Sequence, residues 1–345
     1  MSGPLDEKQT DSRDRMAALA TEGEPLGLVE RLRAWRSSRL GKVVMALVAV
    51  VAVGLSGAFV VLRLRDSLGE LATMDLSLRW SDALLALLCT FGCVLLGGVI
   101  WRLVLRGVGQ ELNGSACMRG HLLANLGGYL PGYGWKFVGK AVLAQRAGLP
   151  GGWVSLAVLL EFIGLAVTRL VIALWAVTPA VLQGLGLPVG TWVLWAARLI
   201  ALLLMLAAPW VLAWLTQRRA NTGRLCGLTV RPCALLAALG LMCLTWLLFG
   251  LGFVFLARAV HPIVVGQVGP LIFSTTTSFL VSLLMFFVPA GLGVRESVVI
   301  LTLQGVLPDA IVALLALLNR LVLIIAEVLG ALLGSGIALR ERLCK

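Results

Sequence analysis

Charge is what this chain has least of. Of its 345 residues, 13% are Asp, Glu, Lys or Arg, while 59% are hydrophobic and the mean hydropathy is +0.97. An ordinary soluble domain carries about 25% charged residues, so a fold of this size could not cover its surface in water. Lipid removes that requirement. The shortage excludes a soluble enzyme, a nucleic-acid reader and a disordered scaffold. Histidine and tyrosine are scarce too, each present twice, as His121, His261, Tyr129 and Tyr133. The 7 cysteines contain no C-x-x-C pair, so no structural zinc, and no other metal or cofactor, is expected. Cys89, Cys93 and Cys243 lie in apolar runs and read as small packing residues.

What the chain has is long apolar runs. A membrane helix needs about 20 such residues. Six segments qualify: 43–62, 83–105, 154–178, 192–215, 234–257 and 310–337. Trp80, Trp101, Trp153, Trp175, Trp192 and Trp214 sit near their ends, as interfacial anchors do. Two further apolar regions, 121–147 and 268–307, are broken by Pro131-Gly132-Tyr133-Gly134 and by Pro289-Ala290-Gly291-Leu292-Gly293. Each reads as a re-entrant pair of half-helices with its hinge at Pro131, Gly132 and Gly134 or at Pro289, Gly291 and Gly293. Such breaks at membrane depth must be buried or line a cavity.

The flanks complete the map. The first apolar run starts near Val43, so no cleavable leader is expected. Residues 1–25 are polar and mixed in charge. Residues 26–42 place Leu28, Val29, Leu32 and Trp35 on one helical face beside Arg31, Arg33, Arg36, Arg39 and Lys42. That pattern fits an interfacial helix on an anionic leaflet or simple basic flanking of the first span. With the N-terminus cytoplasmic, the inner segments also hold Arg106, Arg119, Lys140, Arg146, Arg218, Arg219, Arg224, Arg231, Arg340, Arg342 and Lys345. The outer ones hold Arg63, Arg65, Arg79 and Arg258. This asymmetry follows the positive-inside rule and accounts for most of the +12 net charge without a nucleic-acid partner. The expectation is an all-α polytopic protein of the cell inner membrane, with about six spans and two re-entrant hairpins. Residues 1–42 and 339–345 would be cytoplasmic tails around a transmembrane domain at 43–338.

The broken regions look duplicated. Pro131 and Pro289 are each followed 19 residues later by another proline, Pro150 and Pro308. A span with two charges follows each, Glu161 then Arg169 in the first and Arg320 then Glu327 in the second. Three crossings between the units would make them an inverted repeat, the layout of many transporters; the competing account is coincidence among 12 prolines. A charge at mid-membrane costs about 2.5–3.5 kcal/mol, so these four need partners. The reversed order of signs predicts Glu161 with Arg320 and Arg169 with Glu327, as gate or as brace. Arg102, near a span end, is expected to snorkel.

Substrate-binding candidates cluster at the breaks: Asn125, Tyr129, Tyr133, Lys136 and Lys140 at the first, Ser278, Arg295 and Glu296 at the second. Lys136 and Arg295 follow Pro/Gly turns where half-helix N-termini would present N–H groups suited to a phosphate. The opposing reading is nonspecific contact between lysines and lipid phosphates.

The stretch Asn125-Leu-Gly-Gly-Tyr-Leu-Pro131-Gly-Tyr-Gly-Trp-Lys136, the step Gly148-Leu-Pro150 and Glu161 resemble one signature of the lysylphosphatidylglycerol synthase/flippase transmembrane domain. Val288-Pro-Ala-Gly-Leu-Gly-Val-Arg-Glu296 resembles its second, a PGGLGxxE-like turn with Ala290 in place of a glycine, and Asn319-Arg320 fits as well. The resemblance covers roughly 43–338. It implies a flippase-like domain that moves lipids with modified headgroups between leaflets. Some members carry a cytosolic aminoacyl-transferase domain. This chain ends 8 residues after Ile337, so lysyl-lipid synthesis is not expected. Stand-alone members are associated with envelope glycan assembly, which adds polyprenyl-phosphate sugars to the implied substrates.

The leading expectation is a lipid translocator and not an enzyme. Its partners would be anionic membrane lipids or a lipid-linked sugar phosphate, and it would self-associate or join a glycosyltransferase or lipid synthase. No Walker motif points to ATP. One alternative is a glycosyltransferase-type enzyme, for which Asp66, Glu70, Asp75 and Asp82 in the first outer loop would supply acids. Another is an accessory scaffold packed through glycines such as Gly330 and Gly334.

Overall fold

A computed structural model describes residues 62, 65, 78–129, 135–187, 189–220, 230–285, 288, 291 and 293–343. The segment 26–42, the first expected span except Leu62, and the hinge residues Pro131, Gly132, Gly134 and Pro289 lie outside them. In chain order the helices are α1 (Trp80–Gly107), α2 (Gly114–Asn125), α3 (Trp135–Arg146), α4 (Gly151–Ala176) and α5 (Pro179–Gly184). They continue as α6 (Thr191–Ala220), α7 (Pro232–Val260), α8 (Val265–Leu284), α9 (Val294–Leu303) and α10 (Asp309–Leu343). A 3-10 turn, Leu126–Tyr129, extends α2. There is no β-strand among the described residues.

Local chemistry sets several boundaries. Pro232 opens α7 where a missing N–H is harmless. Asn113 caps α2 by accepting from the Ser115 backbone N–H. Six described helices are long and apolar enough to cross a membrane: α1, α4, α6, α7, α8 and α10. The protein is an all-α, multi-pass membrane protein. Five of these are expected spans; the sixth, α8, corrects the reading of 268–307. Its first arm is not a half-helix but a 20-residue helix of about 30 Å, a full bilayer core. Its apolar window has a mean hydropathy of 1.3, against 2.2–2.5 for the others.

The chain nevertheless turns back after α8. Gln267 Nε2 donates to Val306 O (3.0 Å), Thr302 Oγ1 to Ser274 Oγ (2.7 Å) and Arg295 Nε to Ser282 Oγ (3.3 Å). Those rungs make α8 and α9 an antiparallel hairpin, with the 10-residue α9 as its short arm. The turn depends on glycine. Gly291 and Gly293 hold φ of 62° and 78°, left-handed values that side chains resist. A Cβ on Gly291 would sit 2.0 Å from Ser282 Oγ. α2 and α3 form the other hairpin; each has 12 residues, about 18 Å, too short to cross.

The core is the antiparallel pair α1 and α7. Arg79 N donates to Ala259 O at one end and Arg231 N to Gly107 O at the other, both at 2.9 Å. Gly107 lies against Leu235, and Gly252 against Cys89 and Ala86, so the backbones approach closely. Midway, Cys93 Sγ donates to Thr245 O (3.2 Å). Around this pair the packing follows one scheme twice. α1 carries α2 and α10 while α7 carries α8 and α4; α3 lies on α4, and α9 on α10. Across the middle, α2 packs on α10 and α8 on α4. α6 stands outside the scheme on α4 and α7, with Leu203 and Leu204 exposed by 64% and 66% as on a lipid-facing side.

Candidate functional site

A cavity of about 150 Å³ lies where the two hairpins meet the α1–α7 pair. Its wall brings together Asn125, Tyr129, Lys136 and Lys140 from the first hairpin, Glu161 and Arg169 from α4, Arg295 from α9, and Arg320 and Glu327 from α10. Three of the sequence candidates sit elsewhere or are not described. Tyr133 lies outside the described residues. Ser278 does not line the cavity; its hydroxyl is fully buried and donates to Thr275 O (2.7 Å). Glu296 stands behind the wall, in a separate cavity of about 20 Å³ shared with Arg295, Asn319 and Arg320.

The charges do not pair as their order in the sequence suggested. Glu161 Oε1 takes Lys140 Nζ at 2.5 Å, with both side chains 3% exposed. Arg320 Nη1 donates to Glu296 Oε1, also at 2.5 Å. Each is a link between the second arm of a hairpin and the span that follows it, so each unit holds its own ion pair, buried in the first and half-buried in the second. Glu327 reaches across the units and accepts a hydrogen bond from the Tyr129 hydroxyl. Arg169 stacks on aromatic rings, with its Cζ 4.2 Å from the Trp246 centroid and 6.0 Å from that of Phe279. The reason is reach. Short-range partners already occupy Glu161 and Arg320, and Trp246 and Phe279 offer a guanidinium the faces of two rings.

Trp246 and Phe279 were not among the sequence candidates. Trp246 sits mid-helix in α7 and not at a membrane edge, and that position was the available signal. Its ring packs on Phe249 and Phe279 at centroid distances of 6.1 and 5.6 Å. Arg295 stacks on the same Phe279, its Cζ 3.9 Å from the centroid. Trp101, expected as an interfacial anchor, is instead 1% exposed, and Lys140 Nζ lies 5.5 Å from its ring centroid. Four of the other end tryptophans face outward, Trp80 by 77%, Trp192 by 87%, and Trp175 and Trp214 less so, while Trp153 is half-buried.

His121 also lines the cavity, held against α1 where Gly97 leaves room; a Cβ there would meet its Nε2 at 2.2 Å. Asn125 Nδ2 donates to that nitrogen at 3.2 Å. Among the acids of the glycosyltransferase alternative, Asp66, Glu70 and Asp75 lie outside the described residues. Asp82 is buried and faces Arg258 at 3.8 Å, which ties it to the α1–α7 clasp. No group of three or more His, Cys, Asp or Glu side chains capable of holding a metal occurs among the described residues.

No protein-family model matches the chain, and no curated protein matches it either.

Proposed function

We propose that the chain is a lipid translocator of the cytoplasmic membrane, moving a phosphate-bearing lipid between leaflets. The observation that carries this reading is the charged cavity between the two hairpins and the membrane-length helices, walled from both packing units. Soluble headgroups cannot cross a bilayer core unaided, and charged side chains kept at that depth mark pathways more often than braces. The twice-repeated packing scheme supports an inverted repeat. α1 and α7 occupy equivalent places and run antiparallel, as inversion requires. In such repeats the substrate sits at the interface between units, which is where the cavity lies. The basic loops favour cytoplasmic termini. The resemblance to the lysylphosphatidylglycerol synthase/flippase transmembrane domain points the same way. Candidate substrates are an aminoacylated or glycosylated phospholipid and a polyprenyl-phosphate sugar.

The test is leaflet exchange. Purified protein in liposomes should accelerate movement of a fluorescent lipid phosphate, and Arg295→Ala should abolish the effect. Exchange no faster than in protein-free liposomes, across all three lipid classes, would refute translocation; chemical change in the lipid would favour an enzyme.

A further inference from the structure

A separate recess lies outside the cavity. α6 packs on α4 and α7 but leaves a groove of about 540 Å³ between the three helices. Every residue that lines it is aliphatic, methionine, proline or glycine. It shares no lining residue with the charged cavity. The seam between α4 and α7 divides the two. Met242 and Leu239 pack there on Gly164, where a Cβ would meet Met242 Sδ at 3.0 Å. The groove opens away from the core, with Ile163 and Val211 of its wall exposed.

Its length and width select the occupant. Along α6 the lining runs from Leu204 to Leu215, about 17 Å at the helical rise. One leaflet contributes a similar depth, about 15 Å, to the hydrocarbon core of a bilayer. Spread over that length, the volume gives a cross-section of about 30 Å². A helix about 10 Å across needs roughly 80 Å², so a span of a second copy does not enter. Left empty, the groove would forfeit dispersion contacts along its whole lining, and its apolar wall gives water nothing to bond. An extended hydrocarbon chain fits.

The groove ends below a cation. Leu204, Ala208, Val211 and Leu215 recur at helical spacing along α6, and the next position on that stripe is Arg218. Its guanidinium lies over the Trp214 ring, with Cζ 3.9 Å from the centroid. A guanidinium held on a ring face keeps its N–H edge for bidentate contact with a phosphate. Arg231, one turn before the groove residue Leu235, is instead engaged by Glu111 at 3.1 Å. The charge on Arg218 therefore selects an anionic headgroup. The basic loops assign this end to the cytoplasmic leaflet, where anionic lipids concentrate.

We propose that the groove binds an anionic phospholipid of the cytoplasmic leaflet, with one acyl chain between α6 and the α4–α7 seam and the headgroup phosphate at Arg218. The site is separate from the cavity and does not depend on translocation; only the choice of leaflet rests on the orientation proposed above. The chain supplies packing between α6 and the core. The full chain is reconstituted in phosphatidylcholine nanodiscs with a trace of phosphatidylglycerol or phosphatidylcholine that carries a diazirine in one acyl chain. After irradiation, adducts are mapped by peptide mass spectrometry.

The phosphatidylglycerol probe should label residues 204–215 of α6 and 160–167 of α4 severalfold more than exposed α10 residues such as Leu321 and Leu332. It should exceed the phosphatidylcholine probe there by about fivefold, the effect of one basic residue at a membrane surface. Ala208→Phe fills the groove from α6 and should lower the labelling severalfold. Arg218→Gln leaves the apolar lining intact and should bring the two probes to parity; it serves as the test if Ala208→Phe fails to fold. Labelling spread evenly over the outer helix faces overturns the proposal. So does groove labelling unchanged in Ala208→Phe, or parity of the two probes in the parent chain. Labelling that disappears when two copies share a disc assigns the face to a second copy and overturns it as well.

Discussion

The Lys140–Glu161 pair gives the sharpest prediction about what holds the cavity together. Both side chains are 3% exposed and their charged atoms meet at 2.5 Å. Removing one partner of such a pair strands the other and costs about 3–5 kcal/mol, whereas replacing both with apolar groups of similar volume is close to neutral. Lys140→Met should fall at the upper end of that range. It leaves Glu161 with neither oxygen bonded to a side chain, Oε2 having no partner to begin with. Glu161→Leu should fall at the lower end, because Lys140 keeps the face of Trp101 at 5.5 Å, an interaction worth about 2 kcal/mol when desolvated. The double variant should return to within about 1 kcal/mol of the parent, a coupling of roughly 5 kcal/mol or more. Reversible denaturant titration in mild detergent, read by tryptophan fluorescence, measures all four corners of the cycle. Single losses under about 1 kcal/mol, or a double variant equal to the sum of the singles, would refute the reasoning. If the restored double variant also exchanges lipid at the parental rate, the pair is a brace and takes no part in transport.

Three further outcomes follow from the geometry. Tyr129→Phe removes the hydrogen bond to Glu327 that links the first hairpin to α10; it should lower stability by about 1–3 kcal/mol and change the rate of leaflet exchange more than ligand affinity, as a rate-against-affinity comparison would reveal. Gly291→Ala must adopt a φ of 62° and push into Ser282, so it should cost at least about 1–3 kcal/mol, seen as a lower denaturation midpoint, while an unchanged midpoint contradicts the turn geometry. Arg198→Ala frees the Leu174 and Val177 carbonyls, each accepting from its guanidinium at 2.8 Å; about 1.5–3 kcal/mol for a charged hydrogen bond should be lost, with faster proteolysis between α5 and α6.

The helices were legible in the sequence because lipid makes composition do the work of a folding code. Runs such as 83–105 and 234–257 lie inside α1 and α7, which extend only a few residues further at each end. α8 was harder to read because Ser274, Thr275, Thr276, Thr277, Ser278 and Ser282 dilute its hydropathy. Four of those hydroxyls find partners: Thr276 Oγ1 donates to Ile272 O at 2.6 Å and Ser278 Oγ to Thr275 O at 2.7 Å, while Ser274 Oγ accepts from Thr302 and Ser282 Oγ from Arg295, which lets much of a polar stripe remain helical when buried. The residues around the cavity were legible because charge inside an apolar run is conspicuous. Their pairing was not. Order along the chain says which signs are present, but partner choice depends on which helix faces which. Glu161 faces α3 across a short turn, and Arg320 faces α9, so both neutralise locally before any pairing between units. The aromatic partners of Arg169 and Arg295 stayed hidden for a related reason, since a mid-span Trp or Phe looks like ordinary packing until a cation lies on its face.

The same contacts argue where the molecule can move. The α1–α7 pair is tied by backbone hydrogen bonds at both ends and by glycine-tight packing in between. Any slide along it would break both end bonds at once and drive Leu235 into the backbone at Gly107. Each hairpin is in turn fixed to its following span by an ion pair, so hairpin and span should travel together. The contacts between the hairpins and the opposite unit are of two kinds: close packing, with Leu122 of α2 against Gly330 and Gly334 of α10, and side-chain ends, the Tyr129 hydroxyl on Glu327 and the Arg169 guanidinium face against Phe279. Only the side-chain ends can part and reform with a change of rotamer, on timescales far shorter than helix unpacking. Under the translocator reading, these side-chain contacts around the cavity are the ones that open and close.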